Sequence, residues 1–474
     1  MRKFDTDVQL FKYKVLKEVA RHSWEGTEVF SVFDEIAKTI VKKGEPSNRC
    51  CIYKDRAIVA ERIRIAMGGN KNNPNVIEVI DIACDECPEA GHVVTDLCRG
   101  CLAHACAGKC RVGAITFDKE YKAHIDKSKC VECGQCAIAC PYSAINNFTR
   151  PCEKACKIDA IHMAETGEAE IDYEKCTSCG ACVRNCPFGA TVDKSYIVDV
   201  INLIRNSDNN KKYKVHAIVA PAIASQFDFA KLGQVATAIK ELGFESVSEV
   251  AEAADIVAYN EAMELVEKEF LTTSCCPAFV KYVETAFPEL VDKISHNPSP
   301  MAQMGQMLKE KDPDCKVVFI GPCVAKKAEA QLDKVSPYVD NVMTYEELLA
   351  LIDSKNIIIE NLPETDFDSA SGFGRAFARG GGVANAVVEV VKEKGLDFEV
   401  NPIACEGLDK CKGALLRASK NVLMNNIIEG MACEGGCVGG AGNLTREERD
   451  RKQVDKHAAA ATIKTIMESV ERHI

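Results

Sequence analysis

Thr272-Thr273-Ser274-Cys275-Cys276-Pro277 sets two thiols side by side. Two later segments, Gly321-Pro322-Cys323-Val324-Ala325-Lys326-Lys327 and Glu429-Gly430-Met431-Ala432-Cys433-Glu434-Gly435-Gly436-Cys437, carry three more. Four thiolates gathered from three distant stretches is the ligand count of a cubane iron–sulfur cluster. One of Cys275 and Cys276 is then left over beside the metal. A spare thiol at a buried metal site points to proton chemistry rather than plain electron storage. Gly435-Gly436 and Gly439-Gly440 flank Cys437, where a buried cluster needs backbone close to sulfide, and Gly380-Gly381-Gly382 offers another close approach.

A second thiol-rich region runs from Cys84 to Cys186 and repeats internally. One unit is Cys98-x2-Cys101-x4-Cys106-x3-Cys110, followed by Gly113-Ala114-Ile115; the next is Cys130-x2-Cys133-x2-Cys136-x3-Cys140-Pro141, followed by Ser143-Ala144-Ile145. A truncated third, Cys152-x3-Cys156, precedes Asp159-Ala160-Ile161, and the fourth, Cys176-x2-Cys179-x2-Cys182-x3-Cys186-Pro187, precedes Gly189-Ala190-Thr191. Each fits a cysteine loop feeding a short helix and then a small apolar strand. A zinc ribbon accommodates pairs of Cys-x2-Cys but not the Cys-x2-Cys-x2-Cys-x3-Cys-Pro run.

This region resembles tandem bacterial-type ferredoxin modules, in which the fourth cysteine of a unit ligates the partner unit's cluster. The resemblance implies one [4Fe–4S] cluster on Cys98, Cys101, Cys106 and Cys140, and another on Cys110, Cys130, Cys133 and Cys136. A third falls on Cys156, Cys176, Cys179 and Cys182. Cys152 and Cys186 then lack two partners, which Cys84-Asp85-Glu86-Cys87 could supply for a fourth cluster; a pair of unligated, packed thiols is the alternative.

The three segments of the opening paragraph together resemble, in order, the signature motifs of the [FeFe]-hydrogenases, over roughly residues 210–445. That resemblance implies a cubane on Cys276, Cys323, Cys433 and Cys437, with Cys437 bridging to a diiron subcluster carrying CO, cyanide and a dithiolate; together they make the H-cluster. It also implies a proton route through Cys275, Glu261, Glu264 and Ser295. Lys326 would donate to a cyanide ligand, Met431 would pack against the bridging CO, and Ala220, Pro221 and Phe377 would line the cofactor. Without the resemblance, Glu261 and Glu264, three apart and so on one helix face, read as solvated surface charges. Lys327 reads as structural. Several positions depart from the commonest pattern: Gly321, Ala222, Met301 and Phe279 stand where methionine, serine, glutamine and tryptophan are frequent. Fewer hydrogen bonds around the diiron unit should alter its potential.

The elements that must position these residues follow from periodicity. Residues 1–80 read as a mostly helical segment, with helical spacing over Lys14–Ala20 and Ala57–Met67. Residues 81–194 form the ferredoxin-like domain of α+β type, and 195–212 a linker helix (Ser195–Asn206) with a polar linker. Residues 213–474 form an α/β catalytic domain of the iron-only hydrogenase type. In it, strand-like runs such as Val215–Val219 and Val317–Ile320 alternate with helical ones such as Glu249–Glu269. Ligand sites in such sheets gather where strands end, and Cys323 follows Ile320 by three residues. Gly372-Phe373-Gly374-Arg375-Ala376-Phe377 lacks a third glycine and a preceding strand, so it reads as a loop without a nicotinamide or flavin site. The vicinal pair Cys50-Cys51 cannot complete a cluster and reads as semi-buried structural cysteines with no chemistry, and the Cys405-x5-Cys411 pair reads as non-ligating.

Length and composition bound the rest. A chain of 474 residues with 47% hydrophobic content can bury a sizeable core in two to four domains. A net charge of −11 argues against a nucleic-acid surface. Met1–Asp7 shows no signal-peptide run and no stretch reaches membrane-spanning length, so a cytoplasmic protein is expected. Twenty-six cysteines in such a chain mean metal rather than disulfides, and a reducing, anaerobic setting. The expected activity is reversible reduction of protons to H2. Electrons come from ferredoxin or a similar small carrier through three to four accessory [4Fe–4S] clusters, and maturation proteins supply the diiron unit. The rival readings are a hydrogenase-like iron–sulfur assembly protein and an H2 sensor; retained Cys275, Lys326 and Met431 count against the first.

Overall fold

The computed structural model describes residues 4–44, 49–88 and 90–473. Met1–Lys3, part of the N-terminal stretch read above, lie outside them. Four cysteine loops run into short helices, Ala105–Lys109, Gln135–Ala139, Pro151–Ala155 and Ala181–Asn185, each followed by a small strand. Three of these helices begin from a left-handed residue, His104, Gly134 or Gly180, which turns the cysteine loop inward; Pro at the first position starts the fourth. Strands Gly91–Val94 and Ile145–Phe148 pair antiparallel, as do Ile115–Phe117 with Ala123–Ile125 and Ile161–Met163 with Ala169–Ile171. Between them lie small cores made largely of cysteine, alanine and isoleucine.

The N-terminal helices Asp7–Trp24, Phe33–Ile40 and Ile52–Ala66 pack their apolar faces against Ile197–Asn206 and into the main core, through Val15, Val19, Ile63 and Ile201. Strand Ile77–Val79 pairs antiparallel with Thr191–Asp193 of the last cysteine unit. A buried charge network also joins the first helix to the last cysteine unit and the main domain. Lys327 Nζ lies 2.8 Å from both Asp193 Oδ2 and Glu347 Oε1, and Lys12 Nζ reaches Asp193 (2.5 Å) and Glu346 (2.6 Å).

The rest is α/β with two parallel sheets. The first runs in the order Ser246–Glu249, Val215–Val219, Lys316–Ile320, Asn341–Met343; the second in the order Leu271–Thr272, Ile427–Met431, Pro402–Glu406. The central strands Val215–Val219, Lys316–Ile320 and Ile427–Met431 are buried almost throughout and read as continuous apolar runs, as parallel strands covered on both faces do, whereas the edge strands Ser246–Glu249 and Pro402–Glu406 are only partly covered. All carboxyl ends face one region. Val219 leads to Ala220-Pro221, Ile320 to Pro322-Cys323, Thr272 to Cys275-Cys276, and Met431 to Cys433. One expectation fails in detail: Gly372–Ala376 is a short helix rather than a loop, capped by Ser371 Oγ, which accepts from the amides of Phe373 (3.1 Å) and Gly374 (3.2 Å). Its glycine serves packing: a Cβ on Gly374 would stand 2.2 Å from Ala251 O of the helix Val250–Lys268.

Candidate functional site

Where the two sheets' carboxyl ends converge, a cavity of about 100 Å³ is lined by Cys275, Cys276, Cys323, Cys433 and Cys437. The other lining is apolar except for Lys326; it includes Ala220, Pro221, Phe377 and Met431. Each thiol arrives by a distinct route. Cys276 sits at the N-terminus of the helix Pro277–Ala286, Cys323 just past its strand, and Cys433 and Cys437 around the left-handed Gly435 and Gly436. Gly436 must be glycine, because a Cβ would meet Gly380 N at 2.7 Å as well. Tyr345 Oη donates to Ala220 O (2.8 Å), which fixes the Ala220-Pro221 turn over the cavity.

The thiols are electrostatic neighbours. Burial pushes Cys323 up to about 12, with Cys276 adding to it. Burial also raises Cys433 and Cys437, each further opposed by Cys323 and Cys276. Four half-buried, mutually repelling thiols lining one cavity become thiolates together only around a shared cation, so the donor set fits an iron–sulfur cluster. Among the described residues no three His, Cys, Asp or Glu side chains converge as ligands of a single ion. A cubane holds its thiolates apart at the corners of a cube, which is a different arrangement. Lys326 is buried; its Nζ lies 3.2 Å from Cys275 O and 2.5 Å from Glu329 Oε2. Glu329 is a partner the sequence reading missed. Three residues on from Lys326 in one helix, it was within reach as an i,i+3 pair. Lys327 points away into the charge network, as its structural reading required.

Cys275 is half-buried in the cavity wall, and its thiol is raised well above its usual value by loss of solvent first and then by Glu261. Glu261 is fully buried on the helix Val250–Lys268. Its Oε1 accepts from Ser274 N (3.2 Å) and Ser274 Oγ (3.4 Å), while Oε2 has no partner within the protein. Burial pushes its carboxyl up to about 7, with the charges of Glu264 and Glu429 adding to the effect. One turn on, Glu264 faces the rim. Ser295 Oγ (3.0 Å) and Asn297 Nδ2 (2.8 Å) donate to its Oε2, and Lys268 Nζ (2.7 Å) to its Oε1. Burial opposes its charge, but these bonds and His296 outweigh it and hold the carboxyl below its usual range. The structure thus brings Cys275, Glu261, Glu264 and Ser295 into one neighbourhood running from the cavity to exposed His296. His296 and Asn297 carried no sequence signal, since only the fold returns that loop to the helix.

The accessory cysteines fall into four neighbour sets. Cys106 feels Cys101 and Cys140, and Cys136 feels Cys130 and Cys110, which marks two sets in the segment 91–148. Cys176, Cys179 and Cys182 each feel Cys156. The fourth grouping also forms: Cys152 is raised to about 11 by burial, then by Cys186 and Cys84, and Cys87 feels Cys84 and Cys186. Cys433 of the cavity feels Cys179, so the third set adjoins the cavity thiols. Cys405 and Cys411 are buried beside the second sheet; Cys411 Sγ is 3.5 Å from Cys405 O and 3.7 Å from Met431 O.

Two of the departures noted above, Phe279 and Gly321, are matched by local packing. Phe279 is fully buried over Gly430, whose missing side chain leaves room for the ring. A Cβ on Gly321 would strike the Phe319 ring at 2.5 Å, so that neighbour excludes a larger residue.

Comparison with known proteins agrees. Residues 213–441 match the family described as "Iron only hydrogenase large subunit, C-terminal domain", and residues 123–146 and 169–191 match "4Fe-4S binding domain". The NADP-reducing hydrogenase subunit HndD of Solidesulfovibrio fructosivorans is 30% identical over 315 residues, 54% of this chain; the chain spans 53% of that protein's length. Shorter stretches resemble cytosolic Fe-S cluster assembly factors named NAR1, 36% identical over 100 residues in the Kluyveromyces lactis protein. The fold matches a solved [FeFe]-hydrogenase, HydA(deltaEFG), with a TM-score of 0.50 at 21% identity, covering 59% of this chain and 93% of that one. No helix among the described residues is long and apolar enough to cross a membrane. Iron hydrogenase 1 of Clostridium pasteurianum is 30% identical over 395 residues, covering 72% of this chain and 68% of that protein, and on that likeness the chain belongs to the iron-only hydrogenase family.

Proposed function

We propose that this protein catalyses reversible reduction of protons to H2, with electrons delivered by ferredoxin or a similar small carrier. The single observation that carries the reading is the free thiol of Cys275, which lines the cavity with the four cysteines while Glu261 stands behind it. Cys276, Cys323, Cys433 and Cys437 would hold the cubane of an H-cluster, the four thiols lining one cavity. When bound, the H-cluster supplies the open metal position and the electrons through which H2 forms or is split. Lys326, the one cation in an apolar lining, anchors an anionic ligand of its diiron unit and draws electron density toward itself. Ala220, Pro221, Phe377 and Met431 exclude water and shape the cavity.

Protons travel between Cys275 Sγ and the surface by way of Glu261 and then Glu264. Buried Glu261, with its carboxyl near 7, can hold or release a proton at neutral pH, as an intermediate relay must. Its unpartnered Oε2 is the atom free to take one. Glu264, held ionised by Lys268, Ser295, His296 and Asn297, accepts the proton at the rim. The accessory cysteine sets would hold three to four [4Fe–4S] clusters that supply electron transfer, and the set on Cys156, Cys176, Cys179 and Cys182 lies nearest the cavity, beside Cys433.

The likeness to NAR1 assembly factors supports a second reading, a protein that handles clusters without H2 chemistry. Infrared spectroscopy on protein matured with the diiron unit separates the two. Bands of metal-bound CO and cyanide together with H2 evolution from a reduced carrier support the hydrogenase reading. Their absence from iron-replete, matured protein refutes it.

A further inference from the structure

Cys50 and Cys51 belong to none of the cluster sets. Both are exposed rather than semi-buried, and the only other exposed cysteine, Cys133, lies in a ligand set. Their Sγ atoms are 3.8 Å apart, with the Cys50 thiol directed at the Cys51 sulfur. Cys51 occupies the position before the 15-residue helix Ile52–Ala66, in extended backbone (φ −165°, ψ 161°). The amides of Lys54 and Tyr53 face its sulfur without closing a full capping bond. First Lys54 N–H and then the Cys50 thiol hold Cys51 below its ordinary value, while Cys50, donating to its neighbour, is raised. The two thiols are placed unequally: Cys51 stands at the N-terminus of the helix Ile52–Ala66 and Cys50 one residue outside it, its thiol directed at the Cys51 sulfur. A thiolate at a helix N-terminus is the reactive form, and an adjacent protonated thiol is a resolving partner.

The pair is also fixed in place. Arg49 donates to Ala83 O (3.1 Å), lies 4.9 Å over the Phe188 ring and faces Glu86 at 3.8 Å; Lys54 is ion-paired with Asp85. The residues flanking the dithiol thus bind the surface loop that links Cys84 to Cys87. Two thiols held on an ordered surface, one activated and one in reserve, go beyond what a structural pair requires.

We propose that Cys50 and Cys51 form a thiol–disulfide exchange site, in which the Cys51 thiolate attacks a disulfide-bearing reactant and Cys50 resolves the product. Cys51 Sγ bonds to one sulfur of the reactant, the reactant's S–S bond breaks, and the first thiolate leaves and takes up the proton Cys51 had given to solvent. Cys50 then loses its proton and attacks Cys51 Sγ, and the second thiolate leaves and is protonated. Two protein thiols are oxidised and one disulfide is reduced to two thiols, with no further electron carrier. Adjacent Cα atoms lie about 3.8 Å apart, shorter than the ~4.4–6.8 Å usual for a disulfide, so the ring is strained and readily reduced again. The site is reversible for that reason.

Anaerobically purified, iron-loaded protein is treated with 4,4′-dithiodipyridine as a small disulfide and, separately, with an oxidised dithiol protein of high, strongly oxidising reduction potential. Released thiol and intact mass are read in both arms. Wild type should release two thiols per chain, carry no adduct and lose two hydrogens, with the new bond mapped to residues 50 and 51. Cys50→Ser should release one thiol and retain a mixed disulfide on Cys51, whereas Cys51→Ser should react about tenfold more slowly. Ring closure in either arm supports the site and identifies the class of reactant. Absence of ring closure in both arms, two stable adducts on wild type, or equal rates for the two variants overturns it.

Discussion

At the scale of single residues, Cys275 and Cys276 share a neighbourhood but not a role. Removing Cys276 takes away a ligand, so Cys276→Ala should lose or distort the cubane. Cys275→Ala removes no bond to iron and should keep both metal units. It should nevertheless lose about 10²–10⁴-fold in H2 turnover, because a methyl group passes no proton to Glu261. The measurement is turnover per infrared-verified active site; near-normal rates would show another proton route. Glu261 makes a separate thermodynamic prediction. Its carboxyl, raised to about 7 from 4.5, keeps a proton in the fold that the unfolded chain releases. Below about pH 4.5 it is neutral in both states and costs nothing. As pH rises from there through 7, stability falls by roughly 3 kcal/mol and the loss is complete above 7. Glu261→Gln has no such slope, so its advantage in denaturant midpoint over wild type should grow from pH 5 to pH 8. A difference that is flat with pH would mean that Glu261 is ionised throughout.

At the scale of elements, the charge network around Lys327 joins a helix of the N-terminal segment, the strand Thr191–Asp193, and the helices carrying Lys327 and Glu347. Lys327→Met leaves Asp193 and Glu347 buried with one cation fewer. Breaking such a group typically costs about 3–5 kcal/mol, so the variant should unfold at clearly lower denaturant while Lys326 still lines the cavity. A midpoint equal to wild type would show that Lys12 alone satisfies the carboxylates. What was legible in the sequence divides along the same line. The cysteine loops, the strands Val215–Val219 and Lys316–Ile320 and the helix Val250–Lys268 were readable, because ligand spacing and apolar runs are local signals. The second sheet was not read as a sheet: Leu271–Thr272 is two residues long, and Pro402–Glu406 opens with a proline that only an edge strand tolerates. Helix Phe33–Ile40 is too short to show a period. The motifs gave Cys275, Cys276 and Lys326. The residues that tune them, Glu329, His296 and Asn297, meet their partners through an unremarked helix pair or a returning loop.

At the scale of the whole molecule, the cysteine sets form a connected series. Cys433 neighbours Cys179, Cys182 neighbours Cys152, and Cys152 neighbours Cys84 and Cys186. The set on Cys84, Cys87, Cys152 and Cys186 therefore adjoins the one nearest the cavity, and its chain neighbours lead toward the segment 91–148. Four accessory cubanes and a six-iron active site require about twenty-two irons per chain, against about eighteen if the fourth set stays unligated. Quantitative iron analysis of matured wild type should approach the higher figure, and Cys84→Ala should fall toward the lower one without loss of the CO and cyanide bands. Position in the series adds a kinetic consequence. A small reduced dye can reach clusters at several points, whereas a protein carrier docked on the segment 91–148 must pass electrons inward. Cys84→Ala should thus depress H2 evolution driven by the protein carrier more than evolution driven by the dye. Equal losses with both donors would place the fourth cluster off the electron route, and an unchanged iron content would remove it.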